Sequence, residues 1–232
     1  MKSMFRMAAA ATLLAATAIT PAAAQDVFSN PTGYFAEPTG YQAGDILVHL
    51  SVLGVIPMNY ASSVGGALAG SKVNVSAGIS PELDASYFFT QNVSVQLIAA
   101  TTRHNIWTTG PQGKVKVGTT WVLPPTITAQ YHFPQLGPVR PYVGLGLTVA
   151  FFYAPDASSY LKENNLKMGG LSTGIGPSLN VGFDVPIEGN WSANVDFKQM
   201  FFVTGTHVGG SAVGAITNLD PIAVGVGVGY KF

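Results

Sequence analysis

The sequence predicts an all-β protein: an eight-stranded antiparallel transmembrane β-barrel with short periplasmic turns and longer extracellular loops. Three observations carry that expectation. Charged residues make up 9% of the chain and hydrophobic ones 47%, a balance that suits a membrane better than water. Beyond the first two dozen residues, however, no uninterrupted apolar run reaches the length of about 18 that a spanning helix needs. A chain this apolar crosses a bilayer another way, by closing a sheet on itself so that every backbone donor and acceptor is paired. From residue 45 onward, moreover, the hydrophobic pattern repeats every two residues, the period of a strand with one buried and one contrasting face.

The chain begins with a segment of different character. Residues 1–24 read as a secretory signal peptide: Lys2 and Arg6 are the positive start, 7–19 the apolar middle, and Ala22-Ala23-Ala24 the small-residue exit before Gln25. A first spanning helix is the competing reading, and the apolar stretch is too short for it. Removing the leader leaves 11 − 2 = 9 basic residues against 11 acidic ones, a formal charge of −2. No basic footprint for nucleic acid is left. The chain has 0 cysteines, so it offers neither a disulfide framework nor a thiolate for zinc or for catalysis. Residues 25–44 read as a flexible periplasmic arm, in which Pro31-Thr32-Gly33-Tyr34 recurs as Pro38-Thr39-Gly40-Tyr41. Proline and glycine at that density oppose both helix and strand. The repeat is either a spacer or a small binding element. The barrel then occupies 45–232.

Eight segments follow in order. In the first, Ile46, Val48, Leu50, Val52 and Ile56 alternate with Asp45, Leu47, His49 and Ser51. In the second, Leu83, Ala85, Tyr87 and Phe89 oppose Glu82, Asp84 and Ser86. Thr90-Gln91-Asn92 turns the chain into Val93, Val95, Leu97 and Ala99, set against Ser94 and Gln96. The fourth sets Leu123, Ile127, Ala129, Tyr131 and Phe133 against Thr126, Thr128, Gln130 and His132. A turn at Gly137-Pro138 leads to Val143, Leu145, Leu147, Val149, Phe151 and Tyr153, facing away from Gly144, Gly146 and Thr148. The sixth opposes Ile175, Leu179, Val181 and Phe183 to Gly174, Gly176, Ser178, Asn180 and Asp184. The seventh opposes Trp191, Ala193, Val195, Phe197 and Phe201 to Ser192, Asn194, Asp196 and Lys198. The last opposes Ile222, Val224, Val226, Val228, Tyr230 and Phe232 to Gly225, Gly227, Gly229 and Lys231. Each has about the length of a tilted membrane strand. Short turns after the even strands and longer segments after the odd ones match periplasmic turns and outer loops.

The two faces decide which side meets lipid. In a soluble barrel the inward face would be apolar and the outer face charged. Here the wholly apolar face carries aromatics at both ends: Phe89, Tyr131, Phe133, Trp191, Tyr230 and Phe232 near the turns, and Phe151, Tyr153 and Phe201 near the loops. Two such girdles belong at membrane interfaces. Tyr230 and Phe232 also resemble the C-terminal signal recognised by the outer-membrane insertion machinery. The expected location is therefore the outer membrane of a Gram-negative-type bacterium.

The opposite face sorts by depth. Near the periplasmic end lie Asp45, His49, Gln130, His132, Asp184, Asn194, Asp196 and Lys231, expected to form a hydrogen-bonded polar plug, since eight strands leave a lumen that side chains fill. His49, Lys198 and Lys231 are the cations available to its carboxylates. Further out the inward positions are apolar, and Leu53, Val55, Ile98, Phe152, Met200 and Phe202, with Trp107 and Trp121 from the long segment after the third strand, are the candidate lining of a hydrophobic channel. Glu82 and Asp84 break that gradient. Such an upper lumen either holds a hydrophobic small molecule or is plain packing. Pro124 and Pro125 cannot donate to a ladder: they mark either a candidate lateral opening or a strand that begins after a loop.

These residues resemble the outer membrane protein W (OmpW) family, including its alkane-uptake branch. The matching stretches are 93–103 (VSVQLIAATTR), 123–133 (LPPTITAQYHF), 140–146 (RPYVGLG), 191–196, Leu219-Asp220-Pro221 and the closing Gly229-Tyr230-Lys231-Phe232. The resemblance implies a barrel that helps small hydrophobic molecules across the outer membrane and releases them sideways into it. Its implied partners are outer-membrane lipid, lipopolysaccharide and the hydrophobic substrate. A structural barrel whose loops meet phage, bacteriocin or host surfaces is the alternative. No catalytic set carries over, and none of His49, His104, His132 and His207 lies in a nucleophile motif. An enzyme, a cofactor and a metal site are therefore not expected.

Overall fold

In a strand successive side chains point to opposite faces, so the alternation above allows each segment one register against its neighbours. The computed structural model describes residues 40–58, 61–64, 71–111, 113–164, 168–208, 213–218 and 220–232. The expected leader, 1–24, and most of the expected arm lie outside the described residues. In chain order the first strands are β1 (Ile46–Ile56), β2 (Ala61–Val64), β3 (Lys72–Val75), β4 (Gly78–Phe88), β5 (Val93–Ala100), β6 (Thr102–Gly110), β7 (Gly113–Leu123) and β8 (Thr126–His132). There follow β9 (Arg140–Ala157), the short helix α1 (Ser159–Glu163), β10 (Met168–Leu171), β11 (Gly174–Glu188), β12 (Trp191–Met200), β13 (Val203–Val208), β14 (Val213–Asn218) and β15 (Ile222–Lys231).

Eight of these close the wall. Strands β1, β4, β5, β8, β9, β11, β12 and β15 pair antiparallel in that order, and β15 returns to β1. Closure leaves this tier without a free edge, as a lipid environment demands. The apolar face points outward: Leu50, Val52, Ile79, Leu83, Leu97, Ile127, Leu145, Ile175 and Val226 are all exposed. At the turn end, edge-to-face rings pair along it, Tyr87 with Phe89, Tyr131 with Phe133, and Trp191 with Tyr230 and Tyr230 with Phe232, at 4.8–5.1 Å between centroids. The turns there are tight, and Gly137 and Gly189 adopt the positive φ that such reversals require.

Above this tier the structure departs from expectation. The long segments after the odd strands are mostly strand, not loop. β7, β6 and β3 continue upward from β9 as one sheet, while β10, β13, β14 and β2 form a second. No ladder joins β9 to β10 or β2 to β3 among the described residues. The fourth strand accordingly does not begin at Pro124-Pro125. The prolines interrupt it midway, between β7 and β8. The β5–β8 ladder ends at Ile98↔Thr126, and β6–β7 resumes at Thr102↔Val122. Neighbouring arms break at the same height, near Pro57, Thr101, Phe201-Phe202 and Pro221. The upper strands escape a period-two reading because they stand clear of the apolar band: on β6 the outward residues are Arg103, Asn105 and Thr109, with Thr102, His104 and Thr108 buried inside. Polar residues on both faces erase the contrast between them.

Candidate binding cavity and its polar floor

From the periplasmic end upward, the interior is built in layers. The lowest is polar, and its buried charged side chains are paired. His49 lies between two carboxylates, Nδ1 2.9 Å from Asp84 Oδ1 and Nε2 3.0 Å from Asp184 Oδ1, an arrangement satisfied when both ring N–H groups are present. Asp184 also accepts from Asn194 at 2.9 Å and from the Tyr41 hydroxyl at 2.8 Å. Lys198 bridges Glu82, at 3.0 Å, and Asp196. Asp196 further accepts from Tyr142 Oη and Asn180 Nδ2. Gln130 ties Gln96 and Asn180 together at 2.9 and 2.8 Å, and Gln96 donates to Asp84. Lys231 pairs with Asp45 at 3.3 Å and donates to the Gly40 carbonyl at the rim. Buried charges of this kind are tolerated only when paired and hydrogen-bonded.

The sequence reading places His49, Asp184, Asp196, Lys198, Asp45 and Lys231 at this level, and the structure brings them together in two linked networks and a rim pair. His132 joins differently. Its Nε2 is 3.0 Å from Ser94 Oγ, and its ring packs among Phe88, Tyr142 and Tyr41 at 4.7–5.3 Å. Glu82 and Asp84 do not break the gradient: they pair in register with Ser51 and His49, inside the polar layer. Tyr41 is a departure too. The last residues of the expected flexible arm are held, with the Tyr41 ring stacked on Phe88 at 4.4 Å and its hydroxyl on Asp184. Strand parity is the signal that reaches Tyr142, Gln96 and Glu82; nothing local in sequence reaches Tyr41, which acts across 143 residues.

Over the polar floor lies an apolar layer of Leu53, Val55, Ala100, Ala150, Met200, Phe202 and Ala223, with Phe152, Val122 and Val75 packed against it. Above that opens an apolar cleft, about 670 Å³ of empty space when the solvent at its mouth is included, bounded by Val55, Pro57, Val75, Ile106, Pro124, Phe152, Leu171, Met200, Phe202 and Pro221, with Thr102, His104 and Thr120 as its polar members. Those three are turned to the wall. His104 Nδ1 donates to the Ser76 carbonyl at 2.7 Å, Nε2 accepts from Thr102 Oγ1 at 2.7 Å, and Thr120 donates to backbone carbonyls. His104 is therefore a buried inner residue, and burial holds its imidazole below the usual value of 6.5. A second apolar cluster, Val73, Ile106, Val117 and Leu161, sits over the cavity, with Leu161 supplied by α1.

Of the candidate channel residues, Val55, Phe152, Met200 and Phe202 bound the cavity. Leu53 belongs to the layer beneath it, and Ile98 is buried lower on β5. Trp107 and Trp121 do not face inward. Trp121 lies between two cavity residues, so strand parity turns it outward, where it stacks on exposed Tyr153 at 6.3 Å. Trp107 lies beside inward Ile106, and the Lys114 ammonium stands 5.1 Å from its ring centroid. In a loop parity has no meaning; on β6 and β7 it decides which way each ring points.

The sequence matches the model of the OmpW family over residues 42–232. This chain belongs to the OmpW family. The uncharacterized outer-membrane protein y4mB of Sinorhizobium fredii is 34% identical over 91% of this chain and 90% of its own. Outer membrane protein W of Escherichia coli is 30% identical over 83% of this chain and 90% of its own. Among solved structures, the outer membrane protein OprG of Pseudomonas aeruginosa superposes with a TM-score of 0.76 at 26% identity, across 84% of this chain and 99% of that one. AlkL, at 22% identity and a TM-score of 0.61, shares the fold across 86% of this chain and 95% of its own. The protein is an OmpW-family outer-membrane β-barrel.

Proposed function

We propose that this protein is a passive channel for small hydrophobic molecules entering through the outer membrane, with release sideways into the bilayer rather than straight down. The observation that carries the reading is the cavity's chemistry. Its walls are apolar, and its few polar atoms already hold partners in the wall. An ion or sugar entering it would lose water's hydrogen bonds without replacement. A hydrocarbon losing about 200 Å² of water-exposed surface there would gain about 5 kcal/mol, at ~25 cal/mol/Å². The route past Val55, Phe152, Met200 and Phe202 ends on the polar floor, which supports a sideways exit. The unpaired stretch of wall beside Pro124 and Pro125 lies at the height of the cavity. A relative of half-length overlap fits this substrate class: a dibenzothiophene metabolism operon protein of Pseudomonas aeruginosa is 28% identical over 51% of this chain and 54% of its own. On the same reading residues 1–24 direct export across the inner membrane, and Tyr230 with exposed Phe232 presents the insertion signal.

The test is entry of a labelled medium-chain hydrocarbon and a labelled sugar into cells with an intact outer membrane, with and without this protein. Faster hydrocarbon entry with unchanged sugar entry is the expected result. Phe152→Lys, which sets a charge in the apolar route, should abolish the gain. Undiminished hydrocarbon entry in that variant would remove the proposed path, and equal sugar entry would replace it with a water-filled pore.

A further inference from the structure

The outer face of the β3–β6–β7 sheet has no part in holding the cavity together, yet its chemistry is distinctive. In register it carries Lys72 opposite Thr109, Asn74 opposite Trp107, Trp107 opposite Lys116, Thr109 opposite Lys114, and Arg103 opposite Trp121. Lys72, Arg103, Lys114 and Lys116 are exposed, and among the described residues none is ion-paired with a carboxylate. The nearest acid in register, Asp156 opposite Thr119, is engaged by Lys162 at 3.0 Å. The column starts beside the Trp121–Tyr153 belt and climbs about 20 Å along the strands at ~3.3 Å per residue. The other upper sheet is different: its strands, Ala61–Val64, Met168–Leu171, Val203–Val208 and Val213–Asn218, contain no Asp, Glu, Lys or Arg. Among the described residues of the two upper sheets the positive charge is therefore one-sided, and it begins where the lipid-facing band ends.

We infer that this face is a binding surface for the phosphate groups of glycolipid headgroups in the outer leaflet. Charge complementarity selects the ligand. Arg103, nearest the belt, reaches a phosphate at the base of the headgroup with the paired N–H donors that guanidinium offers. Lys116, Lys114 and Lys72 meet anionic groups further out, and Trp107 and Trp121 lie between them as amphipathic rings suited to the border of sugar and acyl chain. The surface is separate from the cavity and does not depend on the transport reading.

The full chain, folded in uncharged detergent, is titrated with lipid A bearing both phosphates, with its dephosphorylated form and with inorganic phosphate, following tryptophan fluorescence. The expected result is saturable binding of the phosphorylated lipid alone, weakened at least tenfold in K72Q/R103Q/K114Q/K116Q and retained in K72R/K114R/K116R. These side chains are all exposed, and heat-modifiable gel migration reports that each variant is folded. Affinity of the glutamine variant within twofold of the parent would overturn the proposal. Equal binding of the dephosphorylated lipid, or of inorganic phosphate, would do the same.

Discussion

His49 shows how a single residue holds the barrel floor together. It is buried between Asp84 and Asp184, each of which has other partners but, in the ion pairs seen among the described residues, no second cation. His49→Ala should therefore cost about 3–5 kcal/mol, because it leaves two buried carboxylates uncompensated. A fall in the urea midpoint of the folded barrel checks this; a shift near zero would mean that water enters the plug. His104 supplies a pH-dependent counterpart above the membrane. Its folded-state pKa is lowered from 6.5 by burial, so the unfolded chain binds the proton first as pH falls. The stability it supports is full above pH 6.5 and is lost as pH drops from there through the lower folded-state value. Comparing the parent with His104→Gln across pH 4–7 isolates this contribution: the parent should lose stability on acidification more steeply than the variant.

At the scale of strands, the decisive feature is the level where the arms break. Pro124 and Pro125 lack the N–H groups that would let the fourth arm continue its ladder, and Ala99–Thr101 of the neighbouring arm stay unpaired with it. Pro124→Thr/Pro125→Thr restores both donors and favours closure of that stretch. Under the lateral-release proposal, hydrocarbon entry into intact cells should slow severalfold while the barrel stays folded. Unchanged entry would put the exit elsewhere in the wall. The same prolines show why sequence alone left two readings open. A proline pair interrupts pairing wherever it stands, and only the strand found on its far side, β7, distinguishes an interruption from a beginning.

The whole molecule is a closed barrel below two upper sheets that no ladder joins among the described residues, and the tiers should differ in cooperativity. Every strand of the lower tier has two partners, whereas β3 pairs only with β6 among the described residues. Amides of β10, which pairs only with β13 among the described residues, should therefore exchange with solvent about tenfold or more faster than those of β11, the strand that continues it. Hydrogen exchange resolved by mass spectrometry measures the contrast, and equal protection would show that the seams are closed in the membrane.

By itself the sequence determined the barrel, the face turned to lipid and most of the charged residues of the polar floor, Glu82 and Asp84 excepted. Alternation is a local property, and a lipid-facing surface with a contrasting lumen makes it legible in the eight strands that form the wall. Tertiary structure alone decided what local pattern does not encode. It turned Trp107 and Trp121 outward, because parity can be assigned only once β6 and β7 are known to be strands. It brought His104 inside and Tyr41 beneath the floor, and it set Glu82 against Lys198 across the lumen. Each of these depends on which distant residue lies opposite when the sheet closes, and closure is a property of the eight strands together.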